Sequence, residues 1–190
     1  MKKTVISAEE LLQDSFRLGL DVLDSGFRPT VLIALWRGGT PVGMALQEIL
    51  AYAGVEADHI AIRTSSYVGV DQRGAVAVHG LNYIIKKICH EDRLLIVDDV
   101  FDTGHTIAAV IGELRRLARD NMPQDIRIAV PWYKPTRNET EIVPDYYVHE
   151  TSEWLVFPHE LDALTPEELR AARPEIAGIV EGVRQRTGTA

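Results

Sequence analysis

The sequence predicts an α/β fold: an open, mainly parallel twisted sheet with helices on both faces, plus a small hood made from the C-terminal part. Apolar runs that end near residues 35, 97 and 130 have the composition of strands buried on both faces of a parallel sheet. Between these runs apolar residues recur at helical spacing, so strands and helices alternate along the chain. The carboxyl ends of such strands share one edge, where ligands bind to sheets of this type.

The N-terminal part supplies two helices and two strands. Residues 7–10, Ser-Ala-Glu-Glu, form a capping box that opens a helix to about residue 23. The apolar run at 31–35 lies between proline and glycine and predicts a buried strand. Thr40 and Pro41 predict the start of a helix to about residue 53, because proline fits the first helical position. A short strand is expected at 59–63.

The rest of the chain continues the alternation after one long polar connection. Residues 64–80 form a polar, glycine-containing stretch that is long for a compact domain, as is typical of lids, hairpins or disordered segments. The remaining predicted elements are a short strand at 76–78, a helix at 81–90, a strand at 92–97, a helix at 105–120, a strand at 126–130, short strands near 146–148 and 154–156, and a C-terminal helix capped at 165–168.

Composition limits the classes of function. A chain of 190 residues with net charge −8 and no dense basic cluster is unsuited to nucleic-acid binding. No apolar run approaches the roughly 20 residues that a membrane span needs, and the N-terminus lacks the apolar region of a signal peptide. The single cysteine, Cys89, cannot form an internal disulfide, so we expect a cytoplasmic protein.

The segment LLIVDDVFDTGHT, residues 94–106, combines a buried strand, three acids and a glycine turn. Apolar residues at helical spacing follow, so the turn leads into a helix N-terminus, whose backbone N–H groups attract anions. The acids would repel an anion unless the ligand carries hydroxyls as well as a phosphate, and a divalent metal accompanies it. A solvated acidic turn is the simpler alternative. The spacings of a P-loop and of an EF-hand are absent.

Through the string VDDVFDTGHT this segment resembles the signature of type I phosphoribosyltransferases. The resemblance covers about residues 30–160 and implies a single domain over 1–190 with the fold of that family. Its core would span about 25–135, with a base-binding hood at about 136–165 together with the N-terminal helix, and C-terminal helices at 165–188. In that family two acids, here Asp98 and Asp99, hold the ribose hydroxyls of phosphoribosyl pyrophosphate (PRPP). The turn that binds its 5′-phosphate consists here of Asp102, Thr103, Gly104, His105 and Thr106.

Two more segments resemble PRPP-binding loops of the family. In the family's pyrophosphate loop an arginine or lysine often precedes two glycines, and a cis peptide bond commonly occurs; the matching residues here are Trp36, Arg37, Gly38 and Gly39. Arginine suits this role because it donates two hydrogen bonds to phosphate oxygens, although a glycine pair alone is equally typical of an ordinary turn. Ser66 and Tyr67 resemble the flexible catalytic loop of hypoxanthine–guanine phosphoribosyltransferases, which excludes water. A polar hairpin without a catalytic part is the alternative.

The C-terminal part matches purine-binding positions of the 6-oxopurine branch of the family. By this resemblance Lys134 donates to the purine O6, Trp154 stacks on the ring, and the backbone of Leu155 reads the base. Glu160 is expected to help hold a metal ion. The alternative is that Trp154 is a core aromatic residue and Lys134 a surface charge.

The resemblance implies a Mg²⁺-dependent purine phosphoribosyltransferase of the purine salvage route. Such an enzyme transfers the 5-phosphoribosyl group from PRPP to hypoxanthine, guanine or xanthine, and releases pyrophosphate and a nucleoside 5′-monophosphate. Expected catalytic residues are Arg37, Asp98, Asp99 and Asp102, with Asp102 handling the proton at purine N7. The expected Mg²⁺ ligands are Asp98, Asp99 and Glu160.

Two other functions stay open from the sequence. One is a regulatory protein that senses PRPP without catalysis, and the other is a phosphoribosyltransferase for another base. The absence of a dense basic cluster disfavours the first, and the Lys134 and Trp154 positions disfavour the second. We expect no nucleic-acid or membrane partner, and a homodimer or homotetramer, because the family is generally oligomeric.

Overall fold

The computed structural model of the chain describes residues 3–66 and 76–187. Short 3₁₀ turns lie at Arg119–Asn121 and at Pro135–Arg137. In chain order the elements are β1 (Lys3–Val5), α1 (Ala8–Asp24), β2 (Val31–Trp36), α2 (Gly39–Tyr52), β3 (Asp58–Ser66), β4 (Val76–His79), α3 (Asn82–Ile85), β5 (Arg93–Val97), β6 (Val100–Phe101), α4 (His105–Ala118), β7 (Asp125–Tyr133), β8 (Tyr146–Glu150), β9 (Trp154–Val156), α5 (Pro166–Ala172) and α6 (Pro174–Thr187).

The main sheet has the strand order β4-β3-β2-β5-β7-β6, and β8 also pairs with β7. All of its pairings are parallel except that of β4 with β3, which are antiparallel neighbours. Strands and helices alternate through this part of the chain, as crossovers between parallel strands require. The predicted α/β fold with an open, mainly parallel sheet is therefore confirmed.

The core of the sheet consists of aliphatic side chains on its central strands. Ile33 of β2, Ile96 of β5 and Val130 of β7 are fully buried, and Val110 and Leu114 of α4 pack in the same cluster. Each such side chain stabilises the fold by roughly 1.5–3 kcal/mol relative to an exposed position. These continuous apolar runs are what made the strands recognisable in the sequence.

The register of the central strands brings three chain segments to the same edge. Val97 at the end of β5 pairs with Ala34 of β2 on one side and with Ala129 of β7 on the other. Residues that follow these positions along parallel strands therefore leave the sheet at its carboxyl edge. This edge carries the predicted pyrophosphate loop after β2, the acid pair after β5 and the last residues of β7.

The chain divides into two compact units, Glu9–Ser152, which holds the main sheet, and a smaller one made of Met1–Ala8 and Glu153–Ala190. In the smaller unit β1 pairs in parallel with β9, from Lys3 beside Trp154 to Val5 beside Val156. Thr165 caps α5 with the predicted capping box. The predicted extent of a single domain, with its core and hood, stays a prediction.

Some elements differ from those expected. The helix expected at 81–90 is limited to α3, four residues long, although Ile84 and Ile88 are both buried at helical spacing. The short strands β1 and β6 were not predicted, because two or three residues give no periodic signal. The strand expected at 76–78 is confirmed as β4. Within the described residues, every helix is too short or too polar to cross a membrane.

Candidate functional site

The predicted phosphate turn forms a helix N-terminus at the carboxyl edge of the sheet. Gly104 has a φ of +83°, a left-handed conformation that glycine adopts without strain, and α4 begins at the next residue. A methyl group on Gly104 would also overlap the side chains of Thr140 and Asn138. The turn is thus shaped for glycine, and the first turn of α4 offers backbone N–H groups to an anion.

Glu139, in the segment that follows β7, forms hydrogen bonds with this turn. The backbone N–H of Glu139 donates to the carbonyl oxygen of Thr103 at 3.0 Å. The carboxylate of Glu139 lies 2.8 Å from Nε2 of His105, and both side chains are about half exposed, so this pair adds little stability. The side chain of His105 therefore contacts Glu139 at the protein surface. An anion at this turn would be bound by the backbone N–H groups.

The acid pair lies directly after β5. The backbone N–H groups of Gly39 and Asp99 both donate to the carboxylate of Asp98, the latter at 3.0 Å. Burial, followed by the negative charge of Asp99, raises the pKa of the Asp98 carboxyl well above its ordinary value. Two adjacent carboxyls, of which Asp98 has the raised pKa, form a site at which a cation or ribose hydroxyls are the favourable partners.

The predicted pyrophosphate loop packs against these acids. Both glycines are buried, and a methyl group would overlap the carboxylate of Asp99 at Gly38 and the carbonyl of Val97 at Gly39. Gly38 has an ordinary φ of −67°, so the need for glycine here comes from close approach and not from an unusual conformation. This close approach to the chain's own acids distinguishes the loop from an ordinary turn.

Trp36 and Arg37, which precede these glycines, are exposed to solvent. The peptide bond between Trp36 and Arg37 is cis, at the position where the family commonly has one. Both side chains are exposed, that of Trp36 at 57%. An exposed arginine at the carboxyl edge is accessible to an anionic ligand.

Lys134 lies at the end of β7 and is 5% exposed, which is the opposite of a surface charge. Its Nζ donates to Asp102 Oδ2 at 3.0 Å, and Nε of Arg137 donates to the other oxygen of the same carboxylate. Pairing of β6 with β7 places these groups together, because the backbone N–H of Lys134 donates to the carbonyl of Phe101, the residue before Asp102. The structure thus joins the predicted base-binding lysine to the predicted phosphate turn.

Sequence reasoning missed Arg137. A basic residue three positions after Lys134, at the end of the same strand, was the available signal. Its contact with Asp102 spans 35 residues of sequence and depends on the pairing of β6, which was not predicted.

Three predicted site residues belong to the smaller unit. Trp154 is 42% exposed at the start of β9, so it is not a core aromatic residue, whereas Leu155 is buried. The carboxylate of Glu160 accepts a hydrogen bond from the backbone N–H of Phe157 at 3.0 Å. Their roles in base and metal binding stay predictions.

The predicted flexible loop falls at the boundary of the described chain. Ser66 is the last residue of β3, and its backbone pairs with Val76. Tyr67 lies outside the described residues. A catalytic part for this loop stays a prediction.

Mg²⁺ requires oxygen ligands, which the carboxylates at the sheet edge could supply. Over residues 3–66 and 76–187, no three or more His, Cys, Asp or Glu side chains form a group able to hold a metal by themselves. Mg²⁺ commonly takes only one or two carboxylates and completes its shell with water and substrate phosphates. The acid pair Asp98–Asp99 fits that kind of site, in which the ion would be held jointly with a phosphorylated ligand.

Comparison with known proteins identifies relatives of the chain. A protein from Methanocella arvoryzae named hypoxanthine/guanine phosphoribosyltransferase is 38% identical over 82 residues, which cover 40% of this chain and 39% of that protein. The chain therefore matches about two fifths of the length of that curated relative.

Solved structures give longer matches. The crystal structure of a purine phosphoribosyltransferase from Pyrococcus horikoshii is 30% identical, with a TM-score of 0.65, and the match covers 85% of this chain and 96% of that one. A xanthine-guanine-hypoxanthine phosphoribosyltransferase from Helicobacter pylori has the same fold, with 22% identity and a TM-score of 0.65 over 90% of this chain and 99% of that one.

The family itself follows from a match over most of the chain. Residues 5–164 match the sequence profile described as phosphoribosyl transferase domain. This range includes the glycine loop, the acid pair, the phosphate turn and Lys134. The chain belongs to the phosphoribosyl transferase domain family.

Proposed function

We propose that the protein transfers the 5-phosphoribosyl group of PRPP to a 6-oxopurine base, and releases pyrophosphate and a nucleoside 5′-monophosphate. One observation carries the proposal: the buried glycine pair at 38–39 packs against Asp98 and Asp99 at the sheet edge where α4 also begins. This edge combines sites for a phosphate, for sugar hydroxyls and for a charged leaving group. The names of the Methanocella and Pyrococcus relatives support the same reaction.

PRPP would bind with its phosphate on the turn at 102–106, where helix N–H groups stabilise the negative charge. Its ribose hydroxyls would donate to Asp98 and Asp99. Arg37 and the backbone of the glycine loop would bind the pyrophosphate group. A Mg²⁺ ion held by Asp98 and Asp99 would neutralise charge on the pyrophosphate as it leaves.

In the reaction the bond from the anomeric carbon to the pyrophosphate oxygen breaks, and a bond from that carbon to a purine nitrogen forms. Positive charge develops on the ribose, and the neighbouring carboxylates of Asp98 and Asp99 favour it electrostatically. The purine gives up a proton, for which the carboxylate of Asp102 is the proposed acceptor at N7. No covalent intermediate with the protein is needed, because holding donor and base in line supplies much of the rate.

Lys134 is the proposed contact to the base. An ammonium group has three N–H donors, so it can keep its bond to Asp102 and still donate to the purine O6. The exposed ring of Trp154 offers a face for stacking, and the backbone of Leu155 is proposed to read the base edge. A pyrimidine would leave part of such an aromatic face uncovered.

A substrate panel tests the proposal. Pyrophosphate release from PRPP is measured with guanine, hypoxanthine, xanthine, adenine and uracil, each with Mg²⁺. Release with one or more 6-oxopurines and not with uracil supports it. PRPP binding without release with any base would instead indicate a sensing protein, and release with uracil alone would indicate another class of transferase.

Mg²⁺ dependence, a dimeric or tetrameric state and a cytoplasmic location are further parts of this proposal. Chelation with EDTA should stop pyrophosphate release, and added Mg²⁺ should restore it, because the acid pair needs a cation beside the diphosphate. Light scattering of the purified chain measures the subunit number. A monomer that releases pyrophosphate at full rate would contradict the oligomeric part alone.

A further inference from the structure

A buried arginine lies where the two C-terminal helices meet. Arg173 is 6% exposed and occupies the single position between α5 and α6. Its backbone is held from both sides, because its N–H donates to Leu169 and its carbonyl accepts from Ile176 and Ala177. The match to the family profile ends at residue 164, so this residue lies beyond it.

Among residues 3–66 and 76–187, the guanidinium of Arg173 donates only to backbone carbonyl groups. Its two terminal nitrogens lie 3.0–3.3 Å from five carbonyl oxygens. These oxygens belong to Ile6, Val156, Phe157, Pro158 and Glu160. Four of the five thus lie in one short segment that begins at the end of β9.

That segment directly follows the proposed base-binding residues. Trp154 and Leu155 belong to β9, which has three residues and pairs with the equally short β1. Strand pairs of this size are marginally stable alone. Arg173 extends the pairing, because it binds the carbonyl of Ile6 after β1 and that of Val156 at the end of β9.

The charge and shape of the Arg173 side chain make this position specific for arginine. Within the described part of the chain no carboxylate lies within ion-pair distance of its guanidinium, so carbonyl dipoles alone offset the cost of burying it. A planar guanidinium can reach several oxygens at fixed angles, whereas a lysine ammonium concentrates its donors at one point. The segment is therefore held in one conformation by a donor group that lysine cannot fully replace.

We propose that Arg173 is a positioning residue for purine binding, and that α5 and α6 serve to hold the segment at 156–160 and, through it, the base-contacting strand β9. The proposal rests on the proposed function, which assigns base contacts to Trp154 and Leu155. It also assigns a function to the C-terminal helices.

Steady-state kinetics of the full chain test the proposal with Arg173→Met and Arg173→Lys. The KM for the purine should rise about tenfold or more in Arg173→Met, because several hydrogen bonds to a charged group are lost. The KM for PRPP should stay within about twofold of the wild-type value, and Arg173→Lys should be intermediate for the purine. An equal rise in both constants, or an unchanged purine KM, would overturn the proposal.

Arg170→Met is the matched control on α5. Its guanidinium is exposed and pairs with Glu181 and Glu167 at the surface, so its loss removes an arginine from the same helix without touching the segment. Purine and PRPP constants should both stay at the wild-type values. A purine effect as large as that of Arg173→Met would show that any arginine lost from α5 disturbs binding, and would overturn the specific role of Arg173.

Amide hydrogen exchange supplies a readout that does not need catalysis. The N–H groups of Phe157 and Glu160 both form hydrogen bonds within the segment, and their exchange should accelerate about tenfold in Arg173→Lys. Exchange at 94–97 in β5 should not change. If the wild-type chain releases no pyrophosphate, the proposed function fails and the purine role fails with it. Unchanged exchange at Phe157 and Glu160 would refute the holding role whether or not the chain is an enzyme.

Discussion

Replacing Asp102 with alanine removes the carboxylate that Lys134 Nζ contacts at 3.0 Å. The side chain of Lys134 is 6% exposed and that of Asp102 is 32% exposed, so the pair lies between a buried and a surface ion pair. Breaking a buried pair costs about 3–5 kcal/mol and a surface pair at most about 1 kcal/mol. We therefore expect Asp102→Ala to lower the free energy of unfolding by about 2 kcal/mol.

A double-mutant cycle isolates this interaction. Lys134→Met removes the buried cation, so Asp102→Ala should cost far less in that background, with a coupling free energy of about 1.5 kcal/mol. The assay is urea unfolding of the wild type, both single variants and the double variant. A coupling below about 0.3 kcal/mol would refute the reasoning, because it would mean that solvent screens the pair as at an open surface. The exposed pair of Glu113 and Arg116 on α4 is the control, and its coupling should be much smaller.

The same carboxylate carries a kinetic prediction. Asp102→Asn keeps the shape of the side chain but removes its charge, so turnover should fall by about 100-fold or more if Asp102 accepts the N7 proton. Pyrophosphate release at saturating purine and PRPP measures it. Turnover near that of the wild type would reject the proton-accepting role, and the ion pair between Asp102 and Lys134 would then have a structural role alone.

Three further predictions concern other positions. Gly38→Ala should weaken PRPP binding at least about tenfold, because the added methyl overlaps Asp99, whereas Gly112→Ala, where nothing lies within 4 Å, should leave binding unchanged. Burial raises the pKa of Asp92, but hydrogen bonds and a neighbouring arginine outweigh it, so the pKa is lowered. Asp92→Asn should therefore lower the free energy of unfolding near neutral pH. The difference in free energy between the variant and the wild type should fade as the pH falls below about 4. Trp154→Ala should raise the KM for the purine more than that for PRPP, since its ring is exposed.

Each of these predictions has a result that contradicts it. For the glycines, equal PRPP affinity of the two variants in calorimetry would show that the loop tolerates a side chain. For Asp92, the sign follows from its lowered pKa: the stabilisation is complete above the unfolded-state pKa of about 3.9 and is lost as the pH falls through the folded-state value. Urea midpoints that differ equally at all pH values would contradict it. For Trp154, an equal loss for both substrates would indicate a structural role.

The sequence predicted the parts of the fold that carry long periodic signals. The runs of β2, β5 and β7 and the helices α1, α2 and α4 were found because burial on one or both faces imposes a pattern on many residues at once. The 81–90 helix was overestimated for a related reason. Ile84 and Ile88 are both buried, and their spacing is that of one helix face. The helix nevertheless ends at Ile85, so the spacing predicted a longer helix than the one that forms.

The contacts that organise the candidate site were harder to predict from the sequence. Strand β6 has two residues and no periodicity, yet its pairing with β7 brings Asp102 to Lys134. The reason for the glycine pair, close packing on the acids, is a tertiary contact that local sequence does not encode. Arg173 contacts Ile6 across 167 positions, which no local pattern reveals. The motifs thus predicted candidate site residues, while their contacts depend on long-range pairing.

PRPP binding tests the central claim most directly. The folded 190-residue chain is titrated with PRPP by calorimetry in the presence of Mg²⁺, alongside the Gly38→Ala variant. The account predicts saturable binding by the wild type, and binding at least about tenfold weaker when a methyl group is forced against Asp99. No uptake of PRPP by the folded wild-type chain would contradict it.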